Sequence, residues 1–148
     1  MKTLLPSLLL VSLVFLLTAP MRPSFAEHAG NTSEVKPEKT VEVYFFHRNR
    51  RCGPCNAIEA NTKKLIETQY KEKVSAGEVR LSIINVDRPE NQEIARMFNA
   101  RSTALFVVEK NGKESILNNL TVMAMRYGRN EEVFCEELQK VIEDCLSR

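Results

Sequence analysis

Apolar residues recur at every second position from Thr40 to Phe46, which predicts a β-strand with Val41, Val43 and Phe45 on one face. His47-Arg48-Asn49-Arg50-Arg51 follows as a polar loop. The period then lengthens. Ile58, Thr62, Leu65, Ile66 and Gln69 return at helical spacing, and Pro54 suits the first turn of that helix, where no amide hydrogen bond is lost. Glu59 with Lys63, and Glu67 with Lys71, are i,i+4 pairs expected on its wet side, and Gly77 is a natural stop.

Val79 to Val86 is a second apolar run and reads as a strand. Asp87 is placed to cap a short helix with Pro89 in its first turn and Ile94, Met97 and Phe98 facing inward. Thr103 to Val108 is nearly all apolar, as a strand covered on both faces should be. Lys110-Asn111-Gly112-Lys113 signals a hairpin turn, with Glu114 to Leu120 as the returning strand. Thr121 to Arg129 fits either an extended segment or a short helix. Asn130 caps a last helix whose buried stripe is Phe134, Leu138, Val141, Ile142 and Cys145, with Glu131 and Glu132 at its positive end. The order strand–helix–strand–helix–strand–strand–helix predicts an α/β fold: a mixed four-stranded sheet with helices on both faces. A domain over residues 40–148 is of ordinary single-domain size and needs no structural disulfide.

The first 26 residues stand apart. They hold no acidic residue, and between Lys2 and Arg22 lies the apolar run Leu4 to Leu17, closed by Ser24-Phe25-Ala26 as a small-x-small cleavage site. This pattern predicts a signal peptide over 1–26 and an exported chain, periplasmic or secreted. An uncleaved membrane anchor is the alternative, although the run is short against the ~20 residues a spanning helix needs. Residues 27–39 are polar and aperiodic and read as a flexible tether. Loss of Lys2 and Arg22 from 21 basic residues leaves 19 against 19 acidic. A net charge near zero excludes nucleic acid as a bulk electrostatic partner.

Candidate chemistry concentrates at Cys52-Gly53-Pro54-Cys55, at the junction of the first strand and first helix. Export would allow disulfides to persist, and a C-x-x-C leading into a helix suits reversible dithiol chemistry. Cys52 precedes the helix, whose positive end favours its thiolate, and Arg50 and Arg51 add charge of the same helpful sign. Cys55, one turn in, is expected to be more covered and to stay protonated. Cys52 would attack a substrate disulfide, and Cys55 would resolve the mixed disulfide. Cys135 and Cys145 lie ten residues apart on the last helix, a rise of ~15 Å, so they cannot bridge each other. They read as small buried hydrophobes, or as further redox thiols. A metal or metalloid chaperone using the Cys52/Cys55 pair, with His47 as a third ligand, is the competing function; no resident metal is expected. A non-enzymatic adaptor has no need of two such cysteines.

Cys52-Gly53-Pro54-Cys55 in this setting resembles the thioredoxin active site. Ile84 to Asp87 and Phe98 to Gly112 resemble the family's next strand and the segment entering its hairpin, so the likeness spans residues 40–146. The resemblance implies a thioredoxin-like fold and thiol–disulfide oxidoreductase activity, with no cofactor beyond the dithiol. It also implies a substrate-docking loop at Thr103 and Ala104, where the family has a cis-proline before its third strand. A trans peptide is expected here, since a non-proline cis bond costs ~3 kcal/mol. Phe46 stands six residues before Cys52, where thioredoxins carry a buried acid, and Arg51 replaces a tryptophan. His47 is then the nearest candidate to accept the proton of Cys55, against a plain reading as a loop histidine. Gly53-Pro54 resembles reducing members, whereas the arginines push toward an oxidant. A reductase is the expectation. It would be a monomer acting on disulfide-containing proteins or small thiols and fed by a membrane electron carrier.

Overall fold

The computed structural model describes residues 39–148. The segment expected to be a signal peptide, 1–26, and all of the expected tether but Lys39 lie outside the described residues. The sheet contains β1 (Lys39–His47), β2 (Val79–Asn85), β3 (Ala104–Asn111) and β4 (Glu114–Asn119), in the order β2-β1-β3-β4. β1 runs parallel to β2, with Phe46 beside Ile84, and antiparallel to β3, with Phe46 beside Ala104. β4 completes the sheet antiparallel to β3. The mixed four-stranded sheet is as expected. β1 begins one residue earlier and ends one later than its alternation predicts, because pairing with β3 already starts at Lys39 and pairing with β2 continues to His47.

Five helices cover the sheet: α1 (Gly53–Gln69), α2 (Lys71–Ser75), α3 (Gln92–Met97), α4 (Thr121–Tyr127) and α5 (Glu131–Ser147). Val41, Val43 and Phe45 of β1 and Leu105 and Val107 of β3 pack against α1, α4 and α5 through Ile58, Leu65, Ala124, Phe134, Leu138 and Ile142. On the other face Phe46, Ile84 and Phe106 pack against Ala95 and the half-buried Phe98 beside α3. The rings of Phe46, Phe98 and Phe106 meet pairwise with centroids 5.1–5.8 Å apart, in tilted and edge contacts that suit their quadrupoles. β1 and β3 are therefore covered on both sides.

Several local expectations change. Gln69 is exposed, and Tyr70, 1% exposed, fills the end of the α1 stripe with its hydroxyl donated to Glu143 Oε1 at 2.9 Å. α1 breaks at Tyr70, so Glu67 and Lys71 fall on different helices, and Gly77, at φ 76°, ends α2 instead. Asp87 caps no helix. The 3-10 turn Pro89–Asn91 starts after Arg88 without a side-chain cap. Met97 is 77% exposed, because α3 is only two turns long and Ala95 supplies its buried contact. In the hairpin Asn111 still pairs with Glu114, so Gly112-Lys113 forms the turn, with Gly112 at φ 57°. Thr121 to Tyr127 is helical. Asn130 caps α5, its Oδ1 accepting from Val133 N at 3.3 Å.

Glu109, 4% exposed on β3, pairs with Lys39 at 3.3 Å and Arg148 at 3.4 Å. It lies beside Val41, toward the end of β1 remote from the Cys52 loop.

The close of α4 is the tightest approach to α1. A Cβ on Gly128 would stand 2.3 Å from Ile58 Cγ1 and 2.6 Å from Ala124 O, and Gly128 O accepts from the buried Asn61 Nδ2 at 3.1 Å. Gly128 has φ −56°, so absence of a side chain, not backbone conformation, is what the site requires. Gly128→Ala should destabilise the fold by about 1–3 kcal/mol, read as a lower urea midpoint at unchanged slope. An unchanged midpoint would show that α4 moves away freely.

Candidate active site

β1 hands the chain to a four-residue loop, Arg48 to Arg51, and Cys52 then stands at the N-cap of α1 in extended conformation (φ −91°, ψ 163°). A helix start leaves backbone N–H groups without partners, and the Cys52 sulfur accepts one of them, from Cys55 N at 3.3 Å. Cys52 and Cys55 form a disulfide with Cα atoms 5.1 Å apart. Cys52 and Gly53 are exposed, while Cys55 is 8% exposed, which is the asymmetry expected from their positions. A reagent in solvent therefore meets Cys52 far more readily than Cys55.

The arginines of the loop divide. Arg48 Nε donates to Asp87 Oδ1 at 3.0 Å, and Asn49 N donates to Asp87 Oδ2 at 2.8 Å. Asn85 Nδ2 adds a bond to Asn49 Oδ1 at 2.7 Å. The loop before Cys52 is thus tied to the end of β2, and that, not helix capping, is what Asp87 does. The Asn49 amide and then the Arg48 guanidinium hold the Asp87 carboxyl below its ordinary range. Arg51 donates to Glu59, which also takes Lys63 Nζ at 2.7 Å. Glu59 is 8% exposed and lies one turn beyond Cys55, not on the wet side as its spacing with Lys63 suggests. Burial opposes its ionisation, but the Lys63 hydrogen bond and the charge of Arg51 outweigh this and lower its pKa. Arg50 is exposed and, among the described residues, has no ion-pair partner.

One neighbour of the dithiol was not foreseen. A Cβ on Gly53 would lie 3.7 Å from Nη2 of Arg129, an exposed residue 76 positions later that follows the α1-locked Gly128. Nothing in the local pattern of Thr121 to Arg129 announces that contact, because it depends on α4 forming and docking against α1.

The thioredoxin family model matches residues 25–125, more than half of the chain. The chain belongs to the thioredoxin family. Its match starts within the residues not described here and ends before α5. Among solved structures the chain is similar to Fasciola hepatica thioredoxin, at 22% identity and TM-score 0.44, covering 71% of this chain and 80% of that one. It is also similar to a chain titled as the structure of a malarial protein, at 21% identity and TM-score 0.39, covering 59% and 93%. A comparison with curated proteins found no match.

Within this thioredoxin-family site the strand faces refine one expectation. Side chains alternate along β1, so Phe46 points to the α3 side of the sheet and is fully buried there. Phe45 and His47 take the α1 side. The residue six before Cys52 thus lies on the α3 face of the sheet, and His47 is the polar residue at the dithiol end of β1 on the opposite face, the one that α1 covers. It is the last residue of the strand, not a loop residue, and is 9% exposed, with Nδ1 3.0 Å from Arg48 O. Ala104 opens β3 opposite Phe46, so Thr103 and Ala104 adjoin the end of β1 from which the Cys52 loop departs. Leu105 N is held by Thr121 Oγ1 at 3.2 Å.

Cys135 and Cys145 are free thiols, half-buried and fully buried. Burial raises both pKa values, and the negative charges of Glu131 and Glu109, respectively, raise them further. Among the described residues no group of three or more His, Cys, Asp or Glu side chains could hold a metal ion with Cys52 and Cys55 in their disulfide.

Two outcomes follow from this geometry. Asp87→Asn should lower stability at neutral pH by freeing the loop. Because the folded-state pKa of Asp87 is depressed, its contribution is complete above the unfolded aspartate value and lost as pH falls through the folded one. The wild-type and Asn proteins should therefore converge in acid; a gap that persists there would assign the loss to something other than the carboxylate. In the reduced native protein, iodoacetamide should label Cys52 first, Cys135 slowly and Cys145 only after unfolding, as followed by mass spectrometry. Rapid native labelling of Cys145 would contradict the packing of α5.

Proposed function

We propose that the chain is an exported thiol–disulfide oxidoreductase working as a reductase. The observation that carries this reading is the exposed Cys52 bonded to the buried Cys55 at the head of α1 in a thioredoxin-family fold. On reduction, the same Cys55 N–H and the positive end of α1 favour a Cys52 thiolate. That thiolate attacks one sulfur of a substrate disulfide. The substrate S–S bond breaks, and its departing sulfur takes up the proton of Cys55. The Cys55 thiolate then attacks Cys52 Sγ, and the mixed disulfide breaks as the second substrate sulfur leaves and is protonated. Two electrons have passed to the substrate, and the protein is left as the Cys52–Cys55 disulfide.

Gly53-Pro54 supports the reducing direction, as does the neutralisation of Arg51 by Glu59, which withdraws one charge that would over-stabilise the thiolate. The Arg129 guanidinium works against it, but it is exposed and screened by solvent and salt. Export rests on the pattern of residues 1–26. A reductase outside the cytoplasm needs its electrons renewed, for which a membrane carrier is the proposed source. Disulfide-containing proteins or small thiols are the proposed substrates, met by a monomer, with Thr103 and Ala104 flanking the docked strand.

A Cys55→Ser variant should accumulate mixed disulfides through Cys52 with substrates from its own compartment, visible as adducts that dithiothreitol releases. Cys52→Ser should accumulate none. The reduction potential, read from gel shifts in graded thiol buffers, should fall nearer the ~−270 mV of thioredoxin than the ~−120 mV of strong oxidants. A value at the oxidising end would reverse the direction, and a Cys55→Ser protein that captures nothing would remove exchange altogether.

A further inference from the structure

Arg129 is held at the dithiol by more than its own side chain. Gly128 is fixed against Ile58 and hydrogen-bonded to Asn61, both on α1, and Asn130 begins α5. The backbone of Arg129 is therefore tied to the helix that carries Cys52 and Cys55. Its guanidinium reaches the exposed Gly53, the residue next to the exposed sulfur.

The charge around this point is unbalanced. The carboxylates nearby are already engaged: Glu59 with Arg51 and Lys63, Asp87 with Arg48, and Glu131 with Lys64. Glu132, exposed in the first turn of α5, forms no ion pair among the described residues. Among the described residues Arg129 and Arg50 form no ion pair. The first turn of α1 contains no acidic residue, so its positive end is not offset from within the helix.

We infer that Arg129, assisted by Arg50, is a specificity-determining residue that selects peptide disulfides with an acidic side chain beside the cysteine under attack. A guanidinium fork matches a carboxylate in plane and number of donors, and Asp or Glu next to a substrate cysteine would arrive at Gly53 as its sulfur arrives at Cys52. This inference rests on the exchange reading above. The bonds made and broken are those already given: the carboxylate is bound and released unchanged.

The test compares two synthetic peptide disulfides that differ only in Glu or Gln next to cysteine, each reduced by the full mature protein in its dithiol form. At low ionic strength the wild type should favour the Glu peptide by about fivefold in kcat/KM, carried mostly by KM, and the preference should fade in high salt. Because Arg129 also neighbours the thiolate, both rates can move on mutation, and the ratio is what reports selection. In Arg129→Gln the ratio should fall toward one; in Arg129→Lys it should be partly retained. A small disulfide dicarboxylate without a peptide backbone, compared with its diamide, provides the third arm. Equal ratios in wild type and Arg129→Gln would overturn the inference while leaving exchange intact. An equally strong preference for the small dicarboxylate would overturn its peptide part. If the wild type reduced neither peptide, exchange itself would fail, and the inference with it.

Discussion

The whole site hangs on β1 being hydrogen-bonded on both sides. A strand paired to β2 along one edge and β3 along the other has no freedom to slide, because a slip of one residue would turn Val41, Val43 and Phe45 out of one core and Phe46 out of the other. Its last residue is therefore delivered to a fixed point. From there a short loop, clamped to the end of β2 by Asp87 and Asn85, leads the chain to the first turn of α1. α1 is seated on the same core through Ile58, Leu65 and Ile66. The two sulfurs owe their geometry to these two anchored ends, and the unequal access of Cys52 and Cys55 follows from where a helix start sits relative to the end of a central strand.

Charge is arranged around that frame in two separate places. At the dithiol, Glu59 and Asp87 each hold an arginine of the loop, so most of its positive charge is committed to structure. Toward the remote end of β1, Glu109 is buried with Lys39 and Arg148. A buried carboxylate is tolerable only with such partners, and this one lies away from the cysteines. The dithiol itself is set by a hydrogen bond, a helix start and the unequal exposure of its two cysteines.

The fold was largely legible because periodicity changed cleanly between elements: alternate positions in β1, helical spacing in α1 and α5, and a continuous apolar run in β3. The dithiol was legible because C-x-x-C at a strand–helix junction is a local pattern. What sequence could not convey depends on contacts between distant segments. Glu59 with Lys63 looks like a wet pair until Arg51 closes over it. Asp87 looks like a helix cap until the Cys52 loop folds back to claim it. Thr121 to Tyr127 has weak helical signals, and its helix is held by packing of Ala124 and Gly128 on α1 and the sheet, so Arg129 at the site was out of reach. Counting six residues back from Cys52 gives Phe46, and only the sheet shows that this side chain lies on the α3 face.

The burial of Cys145 and partial burial of Cys135 bear on how the chain acquires its bond. In an unfolded chain four thiols compete, and only the short separation of Cys52 and Cys55 favours their pairing. Once α5 has docked, Cys145 is fully buried and Cys135 half-buried, and burial raises both pKa values, which slows exchange with them. Packing of the last helix thus strengthens a statistical preference. A chain oxidised before that helix docks has three ways to pair its sulfurs fully; a chain oxidised afterwards is biased to the Cys52–Cys55 bond.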